Sequence, residues 1–152
     1  MKYEVVPATH EHIAPLAARM RQSDVDELWA AAAILPADAI RMSMDHAEMC
    51  NTWLIDGTPA AIGGISRQDE HAGIIWFLCT DMVDTHQRAF LVQSRFHFVK
   101  KRQGYDLLFN YVDARNERAI RWLLWLRFSF EGPYPHGVFR KPFYRFFWER
   151  NQ

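Results

Sequence analysis

Two histidines hold positions from which a side chain could do acid–base chemistry. His71 directly precedes a long apolar run, and His86 precedes a helical pattern. An imidazole titrates near neutral pH, so either ring could accept a proton from an amine, although a solvent-facing or capping histidine is the simpler interpretation of both. His10 and His12 would lie about 200° apart around a helix and cannot share a metal ion, so no metal site is predicted.

The other reactive residues and motifs exclude several functions. Cys50 and Cys79 form no C-x-x-C pair, which predicts reduced thiols in the core instead of a zinc or redox site. The sequence contains no G-x-S-x-G elbow, no P-loop and no dinucleotide fingerprint. Hydrolase, kinase and dehydrogenase functions therefore lack the residues that would perform them.

The composition is that of one globular domain spanning residues 1–152. Apolar residues make up 49% of the chain and charged residues 24%, which excludes a disordered class. Eighteen Lys and Arg balance eighteen Asp and Glu, so no overall positive field would attract nucleic acid or an anionic membrane. No segment has the apolar length of a membrane span or the core of a signal peptide, and the protein is expected in a cytoplasm.

Hydrophobic periodicity predicts a helix-rich first third and a sheet after it. The predicted strands are Tyr3–Val6, Thr52–Ile55, Ala60–Ile65, Ala72–Thr80 and Tyr105–Val112, with two more between residues 128 and 148. The predicted helices begin near Thr9, Ser23, Ala37, Asp84 and Asn116, and the second of them runs to Pro36. Asp56-Gly57 predicts a tight hairpin turn. The run at 72–80 is apolar throughout, which indicates a central strand buried on both faces.

The helix after the central strand has the clearest end signals. Asp84 and Gln87 have the spacing of a capping box, and Gly104 follows the basic run at residues 100–102. The periodicity predicts that this helix directs the following residues into the core: Ala89, Val92, Phe96 and Val99.

The order of these elements resembles that of the GNAT acetyltransferase superfamily. Asn116-Glu117-Arg118-Ala119, followed by Leu123, Arg127 and Phe128, is similar to the GNAT pattern of Asn, Ala three residues later, and a terminal Gly-Phe. The resemblance implies an α/β (α+β) fold with a mixed, mostly antiparallel sheet of six or seven strands and four or five flanking helices. It also implies acetyl-CoA as the cofactor and an amine-bearing small molecule or protein as the acceptor.

The same resemblance implies roles for individual residues. In the GNAT fold the acyl-CoA lies in a gap beside the central strand, with its pyrophosphate at the N-terminus of the next helix. The implied cofactor-binding residues are Phe77, Leu78, Cys79, Thr80, His86, Gln87, Arg88, Ala89, Asn116 and Ala119. Transfer to the amine would be direct, and its deprotonation would fall to His71, Asp81 or water.

Two stretches depart from the GNAT pattern. Leu123 stands where many acetyltransferases carry a tyrosine that protonates the leaving thiolate, and Arg127 stands where they carry a glycine. The stretch Asp81–Ala89 replaces a glycine-containing phosphate loop with a segment that has no glycine and two acidic residues. These departures favour an alternative in which the fold is kept and catalysis is lost.

A narrower resemblance covers roughly residues 50 to 148. Ala60-Ala61-Ile62-Gly63-Gly64, Trp76-Phe77, Thr80-Asp81 and Leu108-Phe109-Asn110-Tyr111-Val112 are similar to motifs of a phage internal virion protein A family. The similarity implies a phage-encoded protein in the host cytoplasm or packaged in the virion, with a virion or host protein as partner.

Overall fold

The computed structural model describes residues 1–151, in which seven strands form one sheet. The strands are β1 (Tyr3–Pro7), β2 (Met49–Ile55), β3 (Thr58–Arg67), β4 (Ala72–Cys79), β5 (Leu107–Asp113), β6 (Ser129–His136) and β7 (Lys141–Glu149). The helices are α1 (Ile13–Ala18), α2 (Gln22–Ala32), α3 (Pro36–His46), α4 (Met82–Thr85), α5 (Gln87–Lys101) and α6 (Glu117–Trp125). The predicted fold class is confirmed, with six helices in the described chain.

The central strand of the sheet is β4, as the sequence indicates. The strand order is β1-β2-β3-β4-β5-β7-β6, and every pair is antiparallel except β4 with β5. One face of the sheet packs on α1 and α3 through Ile13, Leu16, Ile40, Ile62 and Leu78. We call this the α1–α3 face, and we call the opposite side, which α5 and α6 cover, the α5–α6 face.

Two helix ends differ from the sequence predictions. α2 ends at Ala32 because Ala33 adopts a left-handed φ of 51°, so the helix stops before Pro36. α5 begins after His86, and the predicted cap residue Asp84 lies inside the short α4 instead.

α5 is rotated relative to the sequence prediction. Val92, Phe96 and Val99 were expected in the core but are 61%, 64% and 38% exposed. Phe90 and Phe98 are buried instead. The rest of the inward side is Ala89 together with four polar residues: Gln93, Ser94, His97 and Lys101. The predicted inward face was wrong because α5 has apolar residues on both sides, so periodicity alone does not choose between them.

Gly63 and Gly64 on β3 make room for two large rings of β4. A Cβ at Gly63 would lie 2.6 Å from the Phe77 ring, and one at Gly64 would lie 2.7 Å from the Trp76 ring and 2.8 Å from the Met49 carbonyl oxygen. Neighbouring strand residues point to opposite faces, so each glycine makes room on one face of the sheet. The pair therefore sets where both rings lie.

Replacement of Gly64 by alanine should destabilise the fold by about 1 to 3 kcal/mol, because the new methyl group must displace backbone as well as a ring. Gly104→Ala is the matched control, since its Cβ would meet only the Arg67 guanidinium at 4.0 Å. Urea denaturation of both variants and the parent measures the difference. Equal stability of G64A and the parent would show that β3 can shift without cost.

Candidate functional site

β4 and β5 form a fork. Their parallel pairing covers only the residues from Ala72 opposite Leu107 to Ile74 opposite Phe109, although both strands continue further. Across the point of divergence, the side-chain amide of Asn110 donates to the Ile75 carbonyl oxygen at 2.8 Å. A side chain thus replaces backbone pairing at the place where the strands separate.

The backbone of β4 faces the fork at every second residue. The Thr80 N–H bonds to the Ala60 carbonyl oxygen on β3 at 2.9 Å. By the alternation of an antiparallel ladder, Leu78 also bonds toward β3, whereas Cys79 and Phe77 direct their N–H and C=O groups toward the fork. Of the four predicted strand residues, therefore, only Cys79 and Phe77 could bind a ligand there through the backbone.

Residues at the start of α2 close the outer end of the fork. Asp24 accepts the Cys79 N–H at 2.9 Å, and the Arg21 N–H donates to the Cys79 carbonyl oxygen at 2.9 Å. Glu27, one turn further along α2, accepts the Asp113 N–H of β5 at 2.8 Å. Because Cys79 is fully engaged, Phe77 presents the N–H and C=O that face the open part of the fork.

Asn116 joins the two carboxylates. Its Nδ2 lies 3.3 Å from an oxygen of Asp24 and 3.3 Å from an oxygen of Glu27, and its Oδ1 accepts the Ala119 N–H at 3.3 Å. The side chain is 3% exposed. Asn116 therefore caps α6, as predicted, and both N–H groups of its side-chain amide bond to α2, so the side chain has no free N–H for a cofactor.

Burial changes the ionisation of both carboxyl groups. Burial raises the pKa of Glu27 to about 8, and the negative charges of Asp24 and Asp113 act in the same direction. Burial also raises the pKa of Asp24, against the opposing effect of Arg21 at 3.6 Å. A carboxyl group with a pKa near 8 can exchange a proton with a bound amine around neutral pH.

A cavity of about 320 Å³ passes through the fork. On the α1–α3 face it is lined by Glu27, Trp76, Tyr111 and His136. The Tyr111 and His136 rings are stacked, with centroids 3.9 Å apart and planes inclined by 13°. This side of the cavity combines one titratable carboxyl group with flat aromatic surfaces.

The cavity walls on the α5–α6 face are mainly apolar beside the fork. Phe77, Phe90 and Trp122 form a cluster with ring centroids 4.7 to 5.5 Å apart. The small Ala119 side chain lines the same wall. An uncharged chain could lie against this wall and reach the Phe77 backbone.

The turn between β4 and α5 has free amides at a helix N-terminus. Gln87, Arg88 and Ala89 contribute the first three N–H groups of α5, whose own hydrogen bonds begin with the Phe90 N–H to the His86 carbonyl oxygen at 3.0 Å. The His86 Nδ1 lies 3.0 Å from the carbonyl oxygen of Met82 in α4. The backbone of this turn, more than the His86 ring, is thus available to an anion.

Arginines neutralise both acidic residues of this turn. Asp81 pairs with Arg19 at 2.8 Å, and Asp84 pairs with Arg118 at 2.7 Å and with Arg21 at 3.6 Å. The pairing weakens the repulsion that the two carboxylates would exert on a phosphate. The turn therefore fits the pyrophosphate of acetyl-CoA through backbone amides, although it contains no glycine.

His71 and Asp81, the two predicted catalytic residues, do not line the cavity. His71 is exposed at the closed end of the fork, where its Nδ1 lies 2.7 Å from Asp106. Asp81 is exposed and held by Arg19. Glu27 is the carboxyl group that does line the cavity, together with the imidazoles of His97 and His136.

Leu123 and Arg127 occupy the positions that depart from the GNAT pattern. Leu123 is 5% exposed and lines the cavity, so this position provides no proton donor. Arg127 has a φ of 75°, in the left-handed region that favours glycine. The backbone thus keeps the turn for which the GNAT pattern uses glycine, at the cost of strain.

The two cysteines add no reactive group to this site. Burial raises the pKa of Cys50 to about 11 and also raises that of Cys79, so neither thiol is a ready nucleophile. Across residues 1–151, no group of three or more His, Cys, Asp or Glu side chains could hold a metal ion. No helix in the same range is long and apolar enough to cross a membrane.

Solved structures similar to this chain share one fold. Ard1 from Thermoplasma volcanium matches with a TM-score of 0.76 at 12% identity over 100% of both chains. The GNAT-family acetyltransferase from Streptococcus pneumoniae matches with a TM-score of 0.65 at 15% identity, over 97% of this chain and 99% of that one. The GNAT domain of S. lividans PAT gives 0.70 at 15% identity, over 97% and 90%.

No family model and no curated protein matches the sequence. The structural matches show that the chain has the fold of GNAT acetyltransferases. Any activity has to be argued from the residues of this chain.

Asp24 and Glu27 were not among the predicted site residues. They belong to the acidic run at residues 24–27, which is typical of a solvated helix face. The signal that sets them apart is their position on the same side of α2 as the apolar Leu28 and Ala31, which also line the cavity.

Glu27→Gln should remove a pH dependence of stability. The Glu27 carboxyl holds its proton up to about pH 8 in the folded protein, against 4.5 for an ordinary glutamate. Between these values the unfolded chain binds fewer protons, so the free energy of unfolding of the parent falls with rising pH, by up to about 1.4 kcal/mol per unit relative to E27Q. Urea unfolding at pH 5 and pH 8 measures this difference. Parallel pH profiles would show that Glu27 is already ionised in the folded state.

Proposed function

We propose that this chain is a GNAT-type N-acyltransferase that uses acetyl-CoA and an amine acceptor, either a small molecule or a protein. The observation that carries the proposal is the cavity through the fork, which has the Phe77 backbone on its β4 wall and Glu27 on the α1–α3 face. Acetyl-CoA supplies the acetyl group as an activated thioester. The two sides of the cavity keep donor and acceptor on opposite faces of the sheet.

Backbone and apolar groups position the donor. The Phe77 N–H and C=O point into the fork, and Phe90 and Trp122 form an apolar wall beside them. The first amides of α5, at residues 87–89, would hold the pyrophosphate. Binding through these groups requires few specific side chains, which is consistent with the low sequence identity to other proteins of this fold.

Glu27 receives the proton of the acceptor. The amine nitrogen forms a bond to the acetyl carbon as the carbon–sulfur bond breaks, and the nitrogen proton passes to the Glu27 carboxylate. The thiolate takes a proton from solvent, because Leu123 provides none. Since burial raises the pKa of Glu27 to about 8, the carboxylate fraction and the rate should both increase as pH rises toward that value.

A thermal-melt titration with acetyl-CoA tests binding, and the E27Q variant tests catalysis. Ligand at a hundredfold excess over its dissociation constant should stabilise parent and variant alike by about 2.7 kcal/mol. Turnover of an amine substrate should fall in E27Q by a factor on the order of 10² to 10⁴. Glu11→Gln, which changes an exposed carboxylate, is the matched control.

The absence of any shift at millimolar acetyl-CoA would overturn the proposal. A normal shift with undiminished turnover in E27Q would keep the transferase and assign the base elsewhere.

We also propose a phage origin for the chain, with action in the host cytoplasm or inside the virion. The motifs at residues 60–64, 76–77, 80–81 and 108–112 support this origin by their similarity to a phage internal virion protein family.

The exposed side of α5 and α6 favours a second candidate function, that of a virion or host-protein binder without catalysis. This outer face consists of Val92, Phe96, Val99, Leu124 and Trp125. Residues 87–152 carry thirteen Lys and Arg against five Asp and Glu, whereas residues 1–86 carry the reverse. The Arg95 guanidinium lies 4.6 Å from the centre of the Trp125 ring. Apolar groups among arginines suit a protein partner with acidic and apolar side chains.

Two substitutions introduced into the encoding phage separate these candidates. Phe96→Glu changes a side chain that is 64% exposed, so it should leave folding and the acetyl-CoA response intact. If the chain acts by binding a protein partner, F96E should lower the yield of infectious particles and E27Q should not. The opposite pattern supports the enzyme and removes the need for a partner on the outer face.

A further inference from the structure

The inward side of α5 carries four polar residues beside its buried phenylalanines. Phe90, Gln93, Ser94, His97 and Lys101 recur at intervals of three and four residues, so they share one side of the helix, and all of them line the cavity. The twelve residues from first to last span about 16 Å at the rise of an α-helix. The part of the cavity beneath α5, which we call the chamber, therefore extends from the fork to the end of the helix.

Two of these polar residues have partners in the protein. The Gln93 Oε1 accepts the Trp53 Nε1–H at 2.6 Å, and the Ser94 hydroxyl accepts the Trp122 Nε1–H at 3.1 Å. These bonds explain why Gln93 and Ser94 point inward. For the other two polar residues on this side of α5, His97 and Lys101, no such bond within the protein explains why they point inward.

Lys101 is a partly buried cation without a carboxylate. None of the ion pairs within 4.0 Å in the part of the chain that the structure describes involves Lys101. Burial lowers the pKa of Lys101. Burial also lowers the pKa of His97, and the charges of Lys101 and Lys100 act in the same direction. A neutral imidazole beside an unpaired ammonium is a pair of donors suited to an anion.

The chamber between these donors and the fork is apolar. Ile65, Ile75 and Phe98 line it, and no acidic residue other than Glu27 lines any described part of the cavity. The whole cavity, of which the chamber is one part, has a volume of about 320 Å³, at the lower end of the range for ligand sites. A ligand with a charged end and a hydrocarbon body matches both the donors and the walls.

We propose that the chamber beneath α5 binds a small apolar carboxylic acid, whose carboxylate lies at Lys101 and His97 and whose hydrocarbon chain extends along Ile65, Ile75 and Phe98 toward the fork. The site is distinct from the pyrophosphate turn, which lies at the opposite end of α5. The inference does not depend on acyl transfer, because the site would bind its ligand in the absence of acetyl-CoA.

A thermal-melt titration with octanoate in the absence of acetyl-CoA tests the site. Octanoate should produce a saturable upward shift in the parent. Lys101→Met retains the aliphatic stem and removes the charge, so its affinity should fall about tenfold or more. The adjacent Lys100 is exposed, and Lys100→Met is the matched control that should bind like the parent. Octanol, with the same chain and no charge, should shift the melt less than octanoate.

An NMR titration of the parent tests the site without a variant that could misfold. Octanoate should perturb the His97 ring and the Ile65 and Ile75 methyl signals at the same midpoint. No saturable shift with the parent, an equal affinity in K101M, or an equal response to octanol would each overturn the site. None of these results bears on the acetyl-CoA titration, so the two proposals can fail separately.

Discussion

The buried hydrogen bond from the Cys79 N–H to the Asp24 carboxylate holds the outer end of the fork, beyond the paired residues of β4 and β5. Beyond Ile74, β4 has no neighbouring strand on the β5 side, and each buried backbone group left unpaired would cost about 1 to 3 kcal/mol. Asp24 fills that position from α2, and Arg21 and Asn116 stabilise its buried charge. The fork, the cavity through it and the raised pKa of Glu27 all follow from this placement of α2.

The two sides of α5 reflect its position beside the open fork. Gly63 brings the Phe77 ring close against β3, and the inward side of α5 carries four polar residues where a closed core would be apolar. The chamber is the space that results. Val92 and Phe96 lie on the outer side of α5, so one helix provides both an internal lining and an exposed apolar face.

The sequence predicts the parts of this structure that short-range signals determine. The hairpin at Asp56-Gly57, the cap at Asn116 and the central apolar strand all appear where expected, because turn, cap and buried-strand signals act over a few residues. The site depends on contacts between distant residues, since Asp24 and Cys79 are 55 positions apart and Asp24 and Asn116 are 92 apart. No local sequence pattern connects these residues. Packing likewise decides which side of α5 faces the core.

Amide hydrogen exchange along β4, followed by NMR in the free protein, tests the open fork most directly. The Cys79 N–H, bonded to Asp24, and the Leu78 N–H, directed at β3, should be strongly protected. The Phe77 N–H, one residue before Leu78, should exchange much faster, because it faces the cavity where β5 no longer pairs. Acetyl-CoA should then slow its exchange. Protection of Phe77 equal to that of its neighbours in the free protein would mean that the fork is closed, and would contradict the site and the function built on it.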